Sequence, residues 1–185
     1  MRSHLTPRNA ALFAAGGLVA ALFLAGAAHA ITDTVFKYSS AQTAYLAMPV
    51  ASFVPFSSGQ AASSADGISI HSGSTATSCF FAPVNLPQGA LMTELAGWYS
   101  EDGGFITLEL ARQRLSAGQF TLIVAESLAD TAGARASASF NITDPSLQAV
   151  DNQRYNYEVI SCFNSSANLR LYGARVTFTY TKAGD

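Results

Sequence analysis

Ala136-Ser-Ala-Ser-Phe-Asn-Ile-Thr143 changes from apolar or small to polar at nearly every step. Ala138, Phe140 and Ile142 fall on one side of an extended chain, and Ser137, Ser139, Asn141 and Thr143 on the other. A period of two is the mark of a strand with one buried face. Phe105-Ile-Thr-Leu-Glu-Leu110 repeats it, with Ile106, Leu108 and Leu110 opposed to Thr107 and Glu109. Residues 119–125 are apolar on both faces and read as a central strand. Gly103-Gly104 separates the 91–99 run from the Phe105 run in the manner of a hairpin turn, which places those two runs side by side.

Further strands are read at 34–39, 45–50, 67–71, 78–84, 155–163 and 168–180, bounded by turn residues. The last run contains a change of phase. Leu169 and Leu171 share one parity; Val176, Phe178 and Tyr180 share the other. A regular strand sends the two sets to opposite faces. Gly173 lies between them, and a bulge there restores one buried face, leaving Arg175, Thr177 and Thr179 to solvent. About ten short strands without helical periodicity predict a single antiparallel β-sandwich of jelly-roll type over residues 31–185. An immunoglobulin-like sandwich is the alternative. Trp98 falls 19 residues after Cys79 and Cys162 a further 64 on, which is the wrong spacing for that fold.

Residues 1–30 stand apart from this pattern. Arg2 and Arg8 precede an uncharged stretch, 11–28, rich in Ala, Leu, Phe, Val and Gly, which ends in Ala28-His29-Ala30. This is the form of a signal peptide cleaved after Ala30. An uncleaved anchor is the rival reading, since the apolar run is at the short limit for a membrane span. No later stretch is long and apolar enough for a transmembrane helix. The expected product is therefore secreted or periplasmic, with no membrane attachment after cleavage.

The chain has 10 Lys and Arg against 12 Asp and Glu. Loss of Arg2 and Arg8 leaves it more acidic. Such a surface gains nothing from counterion release, which argues against nucleic-acid binding. The two cysteines, Cys79 and Cys162, read as one disulfide in an oxidising compartment; two buried thiols are the other option.

Sites for chemistry are scarce. Of three histidines only His71 follows residue 30, which excludes a three-His zinc centre. A Ser-His-Asp triad would depend on His71, with Ser69, Ser72 and Ser74 near it in sequence, yet no Gly-x-Ser-x-Gly elbow occurs. Glu94 and Glu109 lie on runs read as neighbours, so a carboxylate pair for glycoside hydrolysis is conceivable, though a solvated strand face explains both. No organic cofactor motif is present. Calcium is the ion the sequence admits, through Glu101 and Asp102 beside Gly103-Gly104, with an ordinary acidic turn as the alternative. Trp98, Tyr99, Tyr155, Tyr157, Tyr172 and Tyr180 supply rings for a sugar-stacking platform, against which stands plain core packing. Adjacent Trp98 and Tyr99 point to opposite faces of a regular strand, so one is core and the other is exposed.

Leu86-Pro-Gln-Gly89, Trp98-Tyr-Ser-Glu-Asp102, Asp151-Asn-Gln-Arg-Tyr-Asn-Tyr157 and the Tyr172-Gly173 strand follow one another in order. Over residues 82–180 this order resembles a loose group of uncharacterised secreted bacterial β-sandwich proteins. The resemblance implies the fold. It implies no activity and assigns no functional residues. The expectation is thus a non-catalytic extracellular binding or structural module, self-associating through a sheet face or edge strand. A carbohydrate-binding module with Trp98 or Tyr99 at the contact is the alternative, and a cell-envelope enzyme the third reading.

Overall fold

The computed structural model describes residues 36–57, 62–63, 67–72, 77–164 and 168–183. The proposed leader and its cleavage point at Ala30 lie outside these residues. Among the described residues eleven strands run in chain order: β1 (Phe36–Pro49), β2 (Val54–Pro55), β3 (Ala62–Ser63), β4 (His71–Ser72), β5 (Ser78–Val84), β6 (Leu91–Ser100), β7 (Ile106–Arg114), β8 (Phe120–Ser127), β9 (Ala136–Asn141), β10 (Tyr155–Phe163) and β11 (Arg170–Ala183). One turn of helix, α1 (Pro145–Gln148), precedes β10. It starts where Asp144 accepts the Ser146 amide at 2.9 Å and Pro145 supplies a preset φ.

The strands form two main sheets, ordered β1-β11-β6-β9 and β2-β5-β10-β7-β8, with β3 and β4 as a separate small ribbon. The protein is an antiparallel β-sandwich of jelly-roll type. Its core is the set of residues that the period of two selects. Ile106, Leu108 and Leu110 from β7 are fully buried, as are Phe80 from β5, Val159 and Phe163 from β10, Leu95 from β6 and Leu171 from β11. Each side chain of this kind contributes about 1.5–3 kcal/mol on leaving water. Phe80 and Phe163 meet edge to face, with centroids 5.7 Å apart. Gly97 lets the sheets come together. A Cβ there would lie 2.7 Å from Leu108 Cδ2.

The runs 34–39 and 45–50, read as two strands, are not separate: their described residues 36–39 and 45–49 belong to the continuous β1, with no turn to divide them, while Val50 opens a short 3-10 turn and 34–35 lie outside the described residues. Gly103-Gly104 is not a hairpin within one sheet. β6 and β7 belong to different sheets, so the turn carries the chain across the sandwich. The composition of such a corner is that of a hairpin, and only the pairing separates the two. In consequence Glu94 and Glu109 face outward from opposite sheets and form no pair.

β8 is also not central. It is the edge of the five-stranded sheet, and Phe120 and Leu122 are 45% and 44% exposed. Its two-sided apolar pattern arises because Ile123 turns inward while these two residues lie on the outer face. The β11 expectation holds. The register slips between Leu171 and Gly173, and Leu169, Leu171, Val176 and Phe178 are all buried.

Cys79 and Cys162 are directly opposite one another on β5 and β10 and form a disulfide that closes a separation of 83 residues. Among the described residues no helix is long and apolar enough to cross a membrane.

Candidate functional site

The β11 bulge shapes the outer face of the four-stranded sheet. Leu171 pairs with Tyr99 and Gly173 with Trp98, so Tyr172 is the unmatched residue. Leu171 points into the core, and Tyr172 is half-buried on the outer side. Across β6, Trp98 pairs with Ser137 of β9. A row Ser137–Trp98–Gly173 therefore crosses three strands, with a side chain missing at its third position. The neighbouring rows are Ser139–Ala96–Arg175 and Asn141–Glu94–Thr177. Along the edge, β9 thus lines up Ser137, Ser139 and Asn141, all exposed.

A hollow of about 490 Å³ opens here, lined by Ile68, Trp98, Arg135, Ala136, Ser137 and Tyr172. Ile68 is brought to its far wall by backbone bonds between Ile70 and Leu171 of 2.9 and 3.0 Å. The Arg135 guanidinium lies 4.5 Å over the Tyr172 ring. The Tyr172 hydroxyl is 3.2 Å from the buried Ser100 Oγ, which holds the ring in place from its polar end.

Next to the hollow, Arg175 sits between two rings, 4.8 Å from Tyr45 and 5.4 Å from Trp98. Its Nη2 donates to Glu94 Oε1 at 3.2 Å, and Thr177 Oγ1 donates to the same oxygen at 3.0 Å. Tyr45, Arg175 and Trp98 thus form one cation–ring group and Arg135 with Tyr172 a second, and Trp98 and Tyr172 both line the hollow. Cation–π stacking of this kind fixes the rings' orientation. Of these two cations, Arg175 is paired with Glu94 and Arg135 has no carboxylate partner among the described residues.

The residues expected at the site divide sharply. Trp98 is 40% exposed and Tyr99 3%. Tyr99 is a core residue, because its parity on β6 faces the other sheet. Tyr155 and Tyr157 lie on the other sheet, where the Tyr157 hydroxyl accepts the Asp151 amide at 2.8 Å. Tyr180 packs edge to face on Tyr38. Arg135, Tyr45 and Ile68 were missed from sequence. Arg135 lies just before β9 and carries no motif, and Tyr45 and Ile68 come from segments far away along the chain.

Glu101 and Asp102 do not act together. Glu101 is 2% exposed and Asp102 is exposed, because consecutive residues leave β6 in opposite directions. Burial, with the nearby Asp130 charge second, pushes the Glu101 carboxyl above its ordinary range. Asp102 Oδ2 instead accepts from Asn168 at 3.3 Å. Among the described residues no group of three or more His, Cys, Asp or Glu is placed to hold a metal ion. Ser69 is buried and its hydroxyl accepts from Arg170 at 3.2 Å.

No protein-family model matches the chain. No curated protein matches it either. Among solved structures it is similar to the C-terminal CBM6 of LamC, a marine laminarinase from Zobellia galactanivorans, at 14% identity and a TM-score of 0.48, covering 72% of this chain and 99% of that one. It is also similar to the xylan-binding module CBM15, at 14% identity and a TM-score of 0.46, covering 74% and 97%. TmCBM61, solved with β-1,4-galactotriose, follows at 6% identity and a TM-score of 0.31, covering 79% and 88%.

Proposed function

We propose that this protein is a non-catalytic carbohydrate-binding module that contacts its glycan with the outer face of the β1-β11-β6-β9 sheet. The observation that carries this reading is the hollow in which the Trp98 and Tyr172 rings stand beside Arg135 and Ser137. A pyranose has an apolar face of C–H groups and a rim of hydroxyls. Rings held by cation stacking offer the first a flat apolar surface at little entropic cost. Ser137, Ser139 and Asn141 along β9, with the Arg175–Glu94 pair, offer the second donors and acceptors. The volume lies within the range of small-molecule sites, about 300–1,000 Å³. The cross-strand disulfide suits an exported module.

Native affinity electrophoresis through gels containing xylan, mixed-linkage β-glucan, laminarin, galactan or polygalacturonate tests the proposal. At least one polymer should retard the protein, and Trp98→Ala should remove the retardation while leaving the circular dichroism spectrum intact. Unretarded migration in every gel, or retention unaffected by Trp98→Ala, overturns it.

A further inference from the structure

We infer that the glycan is acidic: Arg135 is a receptor for the carboxylate of a uronic acid residue stacked in the Trp98–Tyr172 hollow. The inference rests on the carbohydrate-binding reading and specifies the sugar.

The charge at the hollow is the first reason. Among the described residues that line it, Arg135 alone is charged and no carboxylate is present. The ion pairs of the described residues are Arg154–Asp151 and Arg175–Glu94. Arg135 thus brings a positive charge into the hollow with no carboxylate among the described residues to neutralise it. The contrast with Arg175 is direct. Both guanidiniums stack on rings of the same face, but Arg175 is matched by Glu94 at 3.2 Å and Arg135 is not. An arginine meant only to brace a tyrosine would do so equally well with a partner of its own.

Geometry is the second reason. The Arg135 guanidinium carbon lies 4.5 Å over the Tyr172 ring, and among the described residues its N–H groups make no hydrogen bond. A planar fork of donors matches a planar carboxylate through two parallel bonds, which an ammonium cannot do. Tyr172 is itself held through Ser100, so the fork is preorganised before any ligand arrives. A sugar whose ring stacks on Trp98 places its exocyclic carbon at the rim of the stack, where a carboxylate in place of the neutral hydroxymethyl group meets the guanidinium. The net charge of the chain, −2, disfavours unspecific attraction of a polyanion, so retention of one must come from a local site.

The test is isothermal titration with oligogalacturonate, a neutral xylo-oligosaccharide of matched length and a sulfated galactan oligomer, on wild type, Arg135→Gln, Arg135→Lys and Trp98→Ala. Wild type should prefer the uronate over the neutral oligomer by about tenfold or more, the scale of a charge-assisted bidentate contact. Arg135→Gln should abolish that preference, Arg135→Lys should recover only part of it, and Trp98→Ala should weaken both sugars. Arg114→Gln, on the other sheet, should change nothing. Equal binding of neutral and acidic oligomers, unchanged by Arg135→Gln, overturns the acidic assignment and leaves carbohydrate binding standing. A stronger response to the sulfated oligomer than to the uronate overturns the carboxylate. Failure of all three oligomers overturns the acidic assignment, and the affinity gels decide carbohydrate binding separately.

Discussion

Gly173 stands opposite Trp98 in the β11–β6 ladder, and Leu171, two residues earlier, stands opposite Tyr99. The pairing advances two positions on β11 for one on β6. That extra residue returns the apolar set of the second half of β11 to the core. It also presents Tyr172 outward beside Trp98. One irregularity thus serves the core and the candidate site at once.

Gly173→Val should destabilise the domain by about 1–2 kcal/mol, from strain at an unfavourable φ and β-branching. Gly173 has φ 157°, and a Cβ there would come within 3.1 Å of the Met48 carbonyl oxygen. Urea melts of Gly173→Ala and Gly173→Val against wild type check this, with valine the worse. Ala174→Val is not a neutral control, because Ala174 is buried in the core at 2% exposure. Equal stability of all three proteins would mean that the bulge relaxes at no cost.

Trp98 and Tyr99 should respond in opposite ways. Tyr99→Ala empties part of the core and should cost about 3–5 kcal/mol in a chemical melt. Trp98→Ala removes an exposed ring and its contact with Arg175, and should cost about 1 kcal/mol or less. A comparable loss at both positions would show that Trp98 supports the fold as much as Tyr99 does.

Replacing Cys79 and Cys162 together by Ala should lower stability by up to about 4.5 kcal/mol, the chain-entropy value for a loop of this size. In the unreduced protein, peptide mapping should recover the two cysteine peptides as one species. Alkylation of both thiols in that sample would contradict the bond.

Glu101 sets a pH dependence. Its folded carboxyl titrates above the ordinary glutamate range because it is buried. The native state therefore holds its proton to higher pH than the unfolded state does. Stability from this group is complete below the ordinary range and is lost as pH rises through the raised value. Glu101→Gln should raise the melting temperature at neutral pH, and the gain should disappear in acid. Thermal melts of both proteins across the acidic range measure it. A gain that is constant with pH would place its origin elsewhere than in the charge.

The alternation at 136–143 and 105–110 was enough to define an all-β chain and to name the core faces, because a buried strand face constrains every second residue wherever the strand lies. The phase change between Leu171 and Val176 was enough to place the bulge, since five apolar side chains cannot reach one core without an extra residue. Two cysteines behind an expected export signal were enough to expect their bond. Neighbour relations were a different matter. The crossing at Gly103-Gly104, the edge position of β8 and the separation of Glu94 from Glu109 depend on which strands exchange hydrogen bonds, and backbone pairing leaves no trace in side-chain alternation. The hollow depended on tertiary structure even more. Ile68, Trp98, Arg135 and Tyr172 come from four separated segments. Nothing local marks Arg135, because its contact with Tyr172 exists only once β6 has brought β9 and β11 to its two sides.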